Sequence, residues 1–282
     1  MIPLTACVDG IGLLGPGLSD WSAACAVLSG QTAYEPRPTI LPAPDSLPPA
    51  ERRRTGRIVK LALAVGLEAA SRAAVHPSHL PTVFTSSGGD GQNCHEICEA
   101  LASSDRQLSP TRFHNSVHNV AAGYWSIANG ARAPSNALCA YDASFAAGLL
   151  EALTQVAVDR TPCLLIAYDS QYPEPLFGKR PIPDAFGVAL LLSPEARPAS
   201  LARITATLTD LPVDLLADSK LEALRAAIPA ARALPLLHSL ARRGRPSSTR
   251  RESQSTSPPE PRTVVLEYLD GLRLAVEVAS CA

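Results

Sequence analysis

Three short runs constrain this chain more than any other feature. CLLIAYDS (163–170) and FGVALLLSP (186–194) are largely apolar rather than alternating, and TVFTSSGG (82–89) is a short β-forming run that ends in a glycine pair. That pattern predicts strands covered on both faces. Stretches with helical spacing lie around them: 55–74, 92–103, 113–130 and 144–158. Strands interleaved with helices predict an α/β fold of layered helices and sheet, with a mostly parallel, covered sheet.

The flanks carry simpler signals. TACVDGIGLLGPG (5–17) reads as strand and loop, and the next segment as a short helix capped by Asp20 and stopped at Gly30. The proline-rich segment 34–54 reads as extended loop. Past residue 200 the texture changes to a strand at 204–211 and a helical stretch with proline breaks at 219–243. The basic, low-complexity segment 243–262 is expected to be a disordered linker. The end of the chain carries two apolar strands around Asp270-Gly271, a hairpin signal. The expected organisation is a domain over 1–200, a reduced second half over 201–242, the linker, and a terminal hairpin over 263–282 packing back on the fold.

Composition excludes some function classes. A formal net charge of −1 with 18% charged residues offers no nucleic-acid surface. No apolar run approaches the ~20 residues of a membrane-spanning helix. The opening residues show no positive leader, so the expected location is cytoplasmic. Seven cysteines, an odd and scattered set, predict reduced thiols rather than a disulfide framework.

The chemistry centres on NALCAYDASFAAGLLEAL (136–153), a strand running through a small-residue turn into a helix. A thiol at a helix N-terminus is activated by the helix amides and dipole, which makes Cys139 a candidate nucleophile. His114 and His118, four apart on the expected helix, and the nearby Cys94, His95 and Cys98 have spacing that permits a metal site. No C-x-x-C or H-E-x-x-H pattern supports one, so neither metal nor cofactor is expected. Gly88 and Gly89 read as a tight turn rather than a phosphate cradle.

Residues 82–196 together resemble the N-terminal half of a β-ketoacyl synthase, a condensing enzyme of the thiolase fold, which implies layered helices and a mixed sheet, complete in the N-terminal half and reduced in the C-terminal half. TVFTSSGG resembles the strand and glycine turn near that family's acyl pocket. SPTRFHNSVHNVAAGYWSIANGARAPSNA (109–137) resembles its interface helix and dimer strand, with Asn119, Gly123, Gly130 and Pro134 in the matching places. FGVALLLSP resembles the strand that closes the first half. The family's nucleophilic cysteine lies eight residues before a helix glycine. Counting back from Gly148 reaches Ala140, so Cys139 matches the residue before the nucleophile. On that count Cys139 points into the core or the dimer strand, and a one-residue gap would restore it as the nucleophile. The family's H-G-T and K-x-x-x-G-H histidines have no match after residue 200, where His238 is the only histidine.

A ketosynthase-like chain without these groups resembles a chain-length factor, in particular the short factors of aryl-polyene clusters. The resemblance implies a heterodimer with a complete β-ketoacyl synthase, working on chains delivered by an acyl carrier protein. It implies tunnel-lining roles for Cys94, Ile97, Cys98, Leu101 and Phe113. It implies a dimer interface at His114, His118, Asn119, Tyr124, Ser135, Asn136 and Ala137. Two alternatives stand beside it: an active acyltransferase or malonyl decarboxylase using Cys139, with His114 or His118 as base, and a structural scaffold subunit.

Overall fold

The chain opens with strand β1 (Leu4–Leu14), then helices α1 (Trp21–Leu28), α2 (Pro49–Arg52) and α3 (Arg57–Arg72). Next come β2 (Thr82–Thr85), α4 (Gly91–Ala102), α5 (Pro110–His114), α6 (Val120–Asn129) and β3 (Ser135–Leu138). Helix α7 (Ser144–Asp159) leads into β4 (Cys163–Asp169) and β5 (Phe186–Ser193). The remainder is β6 (Ala202–Thr209), α8 (Ser219–Ala227), α9 (Leu234–Arg243), β7 (Arg262–Glu267) and β8 (Arg273–Ala279). The computed structural model describes residues 3–243 and 260–281. Most of the expected linker, 244–259, lies outside the described residues.

The strands form one sheet in the order β3-β2-β4-β5-β1-β6-β8-β7. Only β3, β2 and β4 run parallel to one another, and every other neighbouring pair is antiparallel. The fold is α/β with a mixed sheet, as the resemblance to the thiolase fold implies; the strand–helix alternation taken alone suggests a mostly parallel one. The physical reason is that an unbroken apolar run reports burial on both faces, not strand direction. Both β4 and β5 are buried along their whole length, yet they pair antiparallel.

One face of the sheet packs on α3 and α6, through Leu61, Val65, Trp125 and Ile166 among others. The other packs on α1, α7 and α9, through Phe145, Leu149, Leu153 and Leu237. Close approach of helix to sheet depends on glycines. A Cβ on Gly12 would come within 1.9 Å of the Val65 carbonyl oxygen in α3. A Cβ on Gly148 in α7 would lie 2.7 Å from Thr85 Cγ2 and 2.9 Å from Leu165 Cδ1. That is the helix glycine from which the count to Ala140 begins.

The expected helix over 113–130 is two helices. Residues 115–119 leave the helical path because Asn115 bonds elsewhere: its Nδ2 donates to Arg54 O (2.8 Å), and its Oδ1 accepts from Tyr124 Oη (3.2 Å). His114 and His118 therefore do not share a helical face, a correction to the expected spacing. The stretch 219–243 also divides: α8 ends at Ala227, a 3-10 turn spans Pro229–Ala233, and α9 starts at Leu234.

The two exposed-versus-buried helix glycines give opposite expectations. Gly148→Ala should destabilise the protein by about 1–3 kcal/mol through overpacking. Gly123→Ala in α6, where nothing lies within 4 Å of the added carbon, should stabilise it by up to ~1 kcal/mol. Urea unfolding of the two variants checks this, and equal effects would contradict the close packing of α7.

Candidate functional site

The turn between β3 and α7 is built from side chains that satisfy its own backbone. Ser144 Oγ accepts from the Ala140 N–H (3.0 Å) and donates to Tyr141 O (2.6 Å). Thr85 Oγ1, at the end of β2, donates to Ser144 O (2.8 Å) and fixes the first turn of α7 to the sheet. The Ala140 N–H, the position at which an oxyanion would need a donor, is thus already engaged.

Cys139 is exposed, and its thiol donates to Ser87 O at 3.1 Å. Its exposure corrects the expectation of a place in the core. Strand pairing stops at Leu138, so the alternation of faces that licensed the expectation no longer governs residue 139. Ala140 is half-buried beside it.

Tyr141 adopts a left-handed backbone, φ 52°, a conformation that costs a non-glycine residue about 1 kcal/mol or more. Its exposed ring lies 3.7 Å beneath the Arg180 guanidinium. Arg180 also pairs with Asp142 at 2.6 Å, and Arg232 pairs with the other Asp142 oxygen at 3.1 Å. Arg232 continues to Glu267, which Arg225 reaches at 3.3 Å, and Arg225 closes on Glu222 at 2.6 Å. This chain of charges ties the turn to α8, to the 3-10 turn and to β7. No local pattern in the sequence marks Asp142, Arg180 or Arg232, because their partners are distant in the chain.

Asp169, at the end of β4, is a second group without a sequence signal beyond its place after an apolar strand. It is 3% exposed. It accepts from Ser87 N (2.8 Å), Ser87 Oγ (2.7 Å), Ser86 Oγ (3.2 Å) and Ala230 N (2.9 Å). It thereby joins the glycine turn after β2 to the 3-10 turn before α9. Burial pushes its pKa up to about 6, against the opposing pull of the Ser87 bonds. His118 Nε2 lies 3.3 Å from Ser86 O on the same turn.

The residues expected to line a tunnel stand on the surface of the chain. Cys94 and Cys98 are exposed, Leu101 is 49% exposed and Ile97 is half-buried, so the stripe on α4 is uncovered. Burial, with a smaller push from neighbouring Cys98, raises the Cys94 thiol above its ordinary pKa. Phe113, 67% exposed, lines an open groove of about 710 Å³ with His114, Val117, Asn119, Tyr124 and Ile127. Tyr124 is 2% exposed and forms the floor of that groove, meeting the His114 ring edge-on at 6.5 Å. Ser135 and Asn136 are exposed on β3, with Ala137 half-buried.

Comparison with known proteins identifies the family and the fold. The family model described as β-ketoacyl synthase, N-terminal domain, matches residues 21–254. Among solved structures, a ketosynthase (ApeO) in complex with its chain length factor (ApeC) from Xenorhabdus doucetiae matches with TM-score 0.69 and 24% identity, over 97% of this chain and 99% of that one. The ishigamide ketosynthase/chain length factor matches with TM-score 0.69 and 14% identity, over 99% and 100%. The AntDE:AntF complex, a type II polyketide synthase acyl-carrier protein with its ketosynthase bound to the hexaketide, matches with TM-score 0.70 and 11% identity, over 99% and 100%. At these identities the likeness shows the fold. No curated protein matches the chain.

Asp169 gives a direct test of the buried cluster. Its carboxyl should titrate with a midpoint near 6 by ¹³C NMR. A folded pKa above the unfolded one means that its contribution to stability is full below the ordinary carboxylate range and is lost as pH rises through about 6. A midpoint below 4 would contradict the dominance of burial.

Proposed function

This chain belongs to the β-ketoacyl synthase family through its N-terminal domain, and from that premise we propose that it is a non-catalytic chain-length factor, the partner of a complete ketosynthase. The observation that carries the reading is the asymmetry of the sheet edges. On the outer strand β7, Val265 N donates to Asp214 Oδ2 (2.8 Å) and Val265 O accepts from Asp214 N (3.0 Å), so that edge is blocked. The other outer strand, β3, presents an exposed edge that no other strand among the described residues pairs, beside the groove that exposes Phe113, Val117 and Ile127. An open edge next to an apolar groove is a template for another subunit. In this reading the β3 segment pairs across a two-fold with its counterpart, and His114, His118, Asn119, Tyr124, Ser135, Asn136 and Ala137 contribute to the interface.

The turn itself supports a non-catalytic role. Alanine at 140 carries no nucleophile, and its N–H is held by Ser144. The partner would supply the cysteine and both histidines. Its thiolate takes the growing acyl group from an acyl carrier protein. Loss of carbon dioxide from the malonyl-carrier then leaves its α-carbon to bond to that acyl carbonyl, as the thioester C–S bond breaks and the cysteine thiolate is released. The uncovered stripe of Cys94, Ile97, Cys98 and Leu101, with Phe113, would become the far wall of the tunnel once the partner covers it. The segment after residue 200 then serves as a reduced second half that braces the turn through Arg232 and Glu267. Exposure of Cys139 supports one second reading, acyl transfer or malonyl decarboxylation at that thiol.

Reconstitution with the ketosynthase encoded beside this chain separates the two. A one-to-one heterodimer should elongate malonyl-carrier equally well with Cys139→Ala, and Ile97→Trp should shorten its product. Loss of turnover in Cys139→Ala would establish the enzyme reading, and unchanged product length in Ile97→Trp would leave only a scaffold.

A further inference from the structure

Helix α7 is apolar from Ser144 to Val158 with one charged residue, Glu151. Its position is specific. Asn136 Nδ2, on the exposed edge strand, donates to Glu151 Oε1 at 2.9 Å, and Gln155 Nε2 donates to the same oxygen at 2.9 Å. Both bonds end on Oε1, and Oε2 accepts none among the described residues. Glu151 also lies in no ion pair among the described residues. The nearest cation along the strand, Arg132, precedes Asn136 by four residues, about 13 Å of extended chain at ~3.3 Å per residue. A carboxylate with one open oxygen therefore stands beneath the unpaired edge of β3.

We propose that Glu151 selects the partner: it pairs with a lysine or arginine on the facing ketosynthase and disfavours a second copy of this chain. The proposal rests on the reading of β3 as the subunit-pairing edge. A two-fold pairing of identical subunits brings each patch against itself. β3 is four residues long, so antiparallel addition of two copies leaves Asn136 within a residue or two of its mate. Facing residues in such a pair have Cα atoms ~5 Å apart. Two Glu151 carboxylates would then share one small region that the interface screens from water, with no ion-pair partner among the described residues of this chain. Like charges so placed suppress the wrong pairing, and a cation from a different subunit removes the repulsion and fixes the register. The one charge in the body of the helix, a turn and more before the terminal Asp159, thus has a role in choosing a heterodimer over a homodimer.

Sedimentation and native mass spectrometry of the wild-type chain, Glu151→Gln and Glu151→Lys, each alone and with the ketosynthase, test this. The wild-type chain should bind the ketosynthase and not itself. Glu151→Gln should weaken the heterodimer about tenfold, flatten its salt dependence and strengthen self-association by a similar factor. Glu151→Lys should weaken the heterodimer further, while circular dichroism shows both variants folded. A wild-type heterodimer whose affinity and salt dependence are the same in Glu151→Gln overturns the role of Glu151 and leaves the pairing edge intact. A wild-type homodimer as tight as the heterodimer also overturns it. Absence of any wild-type complex with the ketosynthase overturns the pairing edge and this proposal together.

Discussion

The structure depends on β1 belonging to two sets of strands at once. Its first part, Leu4 to Val8, pairs with β6, and Cys7 to Leu14 pair with β5. The register shifts between Val8 and Gly10, and Asp9 sits in that irregularity. A bulge bends a strand and raises its twist. Here the buried Asp9 carboxylate accepts from Ser193 and from Ser200 Oγ (2.5 Å), with Arg197 at 3.4 Å, so the bend is held by side chains of the β5–β6 connection. Through β1 the parallel strands β3, β2 and β4 share one sheet with the C-terminal hairpin. The layer of α1, α7 and α9 packs against residues from both sets.

That continuity explains how the turn after β3 is braced from so far along the chain. Asp142 is gripped by Arg180 and Arg232, and Arg232 reaches Glu267 on β7. Asp169 holds the adjacent Ser86–Ser87 turn and the Ala230 amide. Individual exposed ion pairs contribute ~0–1 kcal/mol, but Arg225 is only 6% exposed, and a network with buried members rigidifies what it joins. The strained Tyr141 backbone persists because its surroundings over-determine it. The turn between β3 and α7 is thereby tied to segments far along the chain.

Much of this was legible in the residues. Apolar runs located β4 and β5, a short β-forming run before a glycine pair located β2, and Asp270-Gly271 located the hairpin, where Gly271 has φ 76°. Gly148 marked the close approach of α7 to Thr85 and Leu165, which is a packing constraint readable as a spacing. Three things were not legible. Strand direction was not, because burial on both faces does not depend on it. The break between α5 and α6 was not, because it is set by Asn115 bonding to Arg54 and Tyr124, residues 61 and 9 positions away. The orientation of Cys139 was not, because it lies just beyond the last paired residue of β3. The charges around Asp142 and Asp169 escaped for the same reason as the helix break: their partners meet only in the folded chain.

Amide hydrogen exchange across β3 tests the central claim most directly. On addition of the ketosynthase, the backbone amides of Asn136 to Leu138 and the groove around Phe113 to Val117 should gain protection. The amides of β7, whose edge Asp214 already blocks, should be unchanged. A complex that forms with β3 exchanging as fast as in the free chain, or with protection confined to β7, would contradict the account.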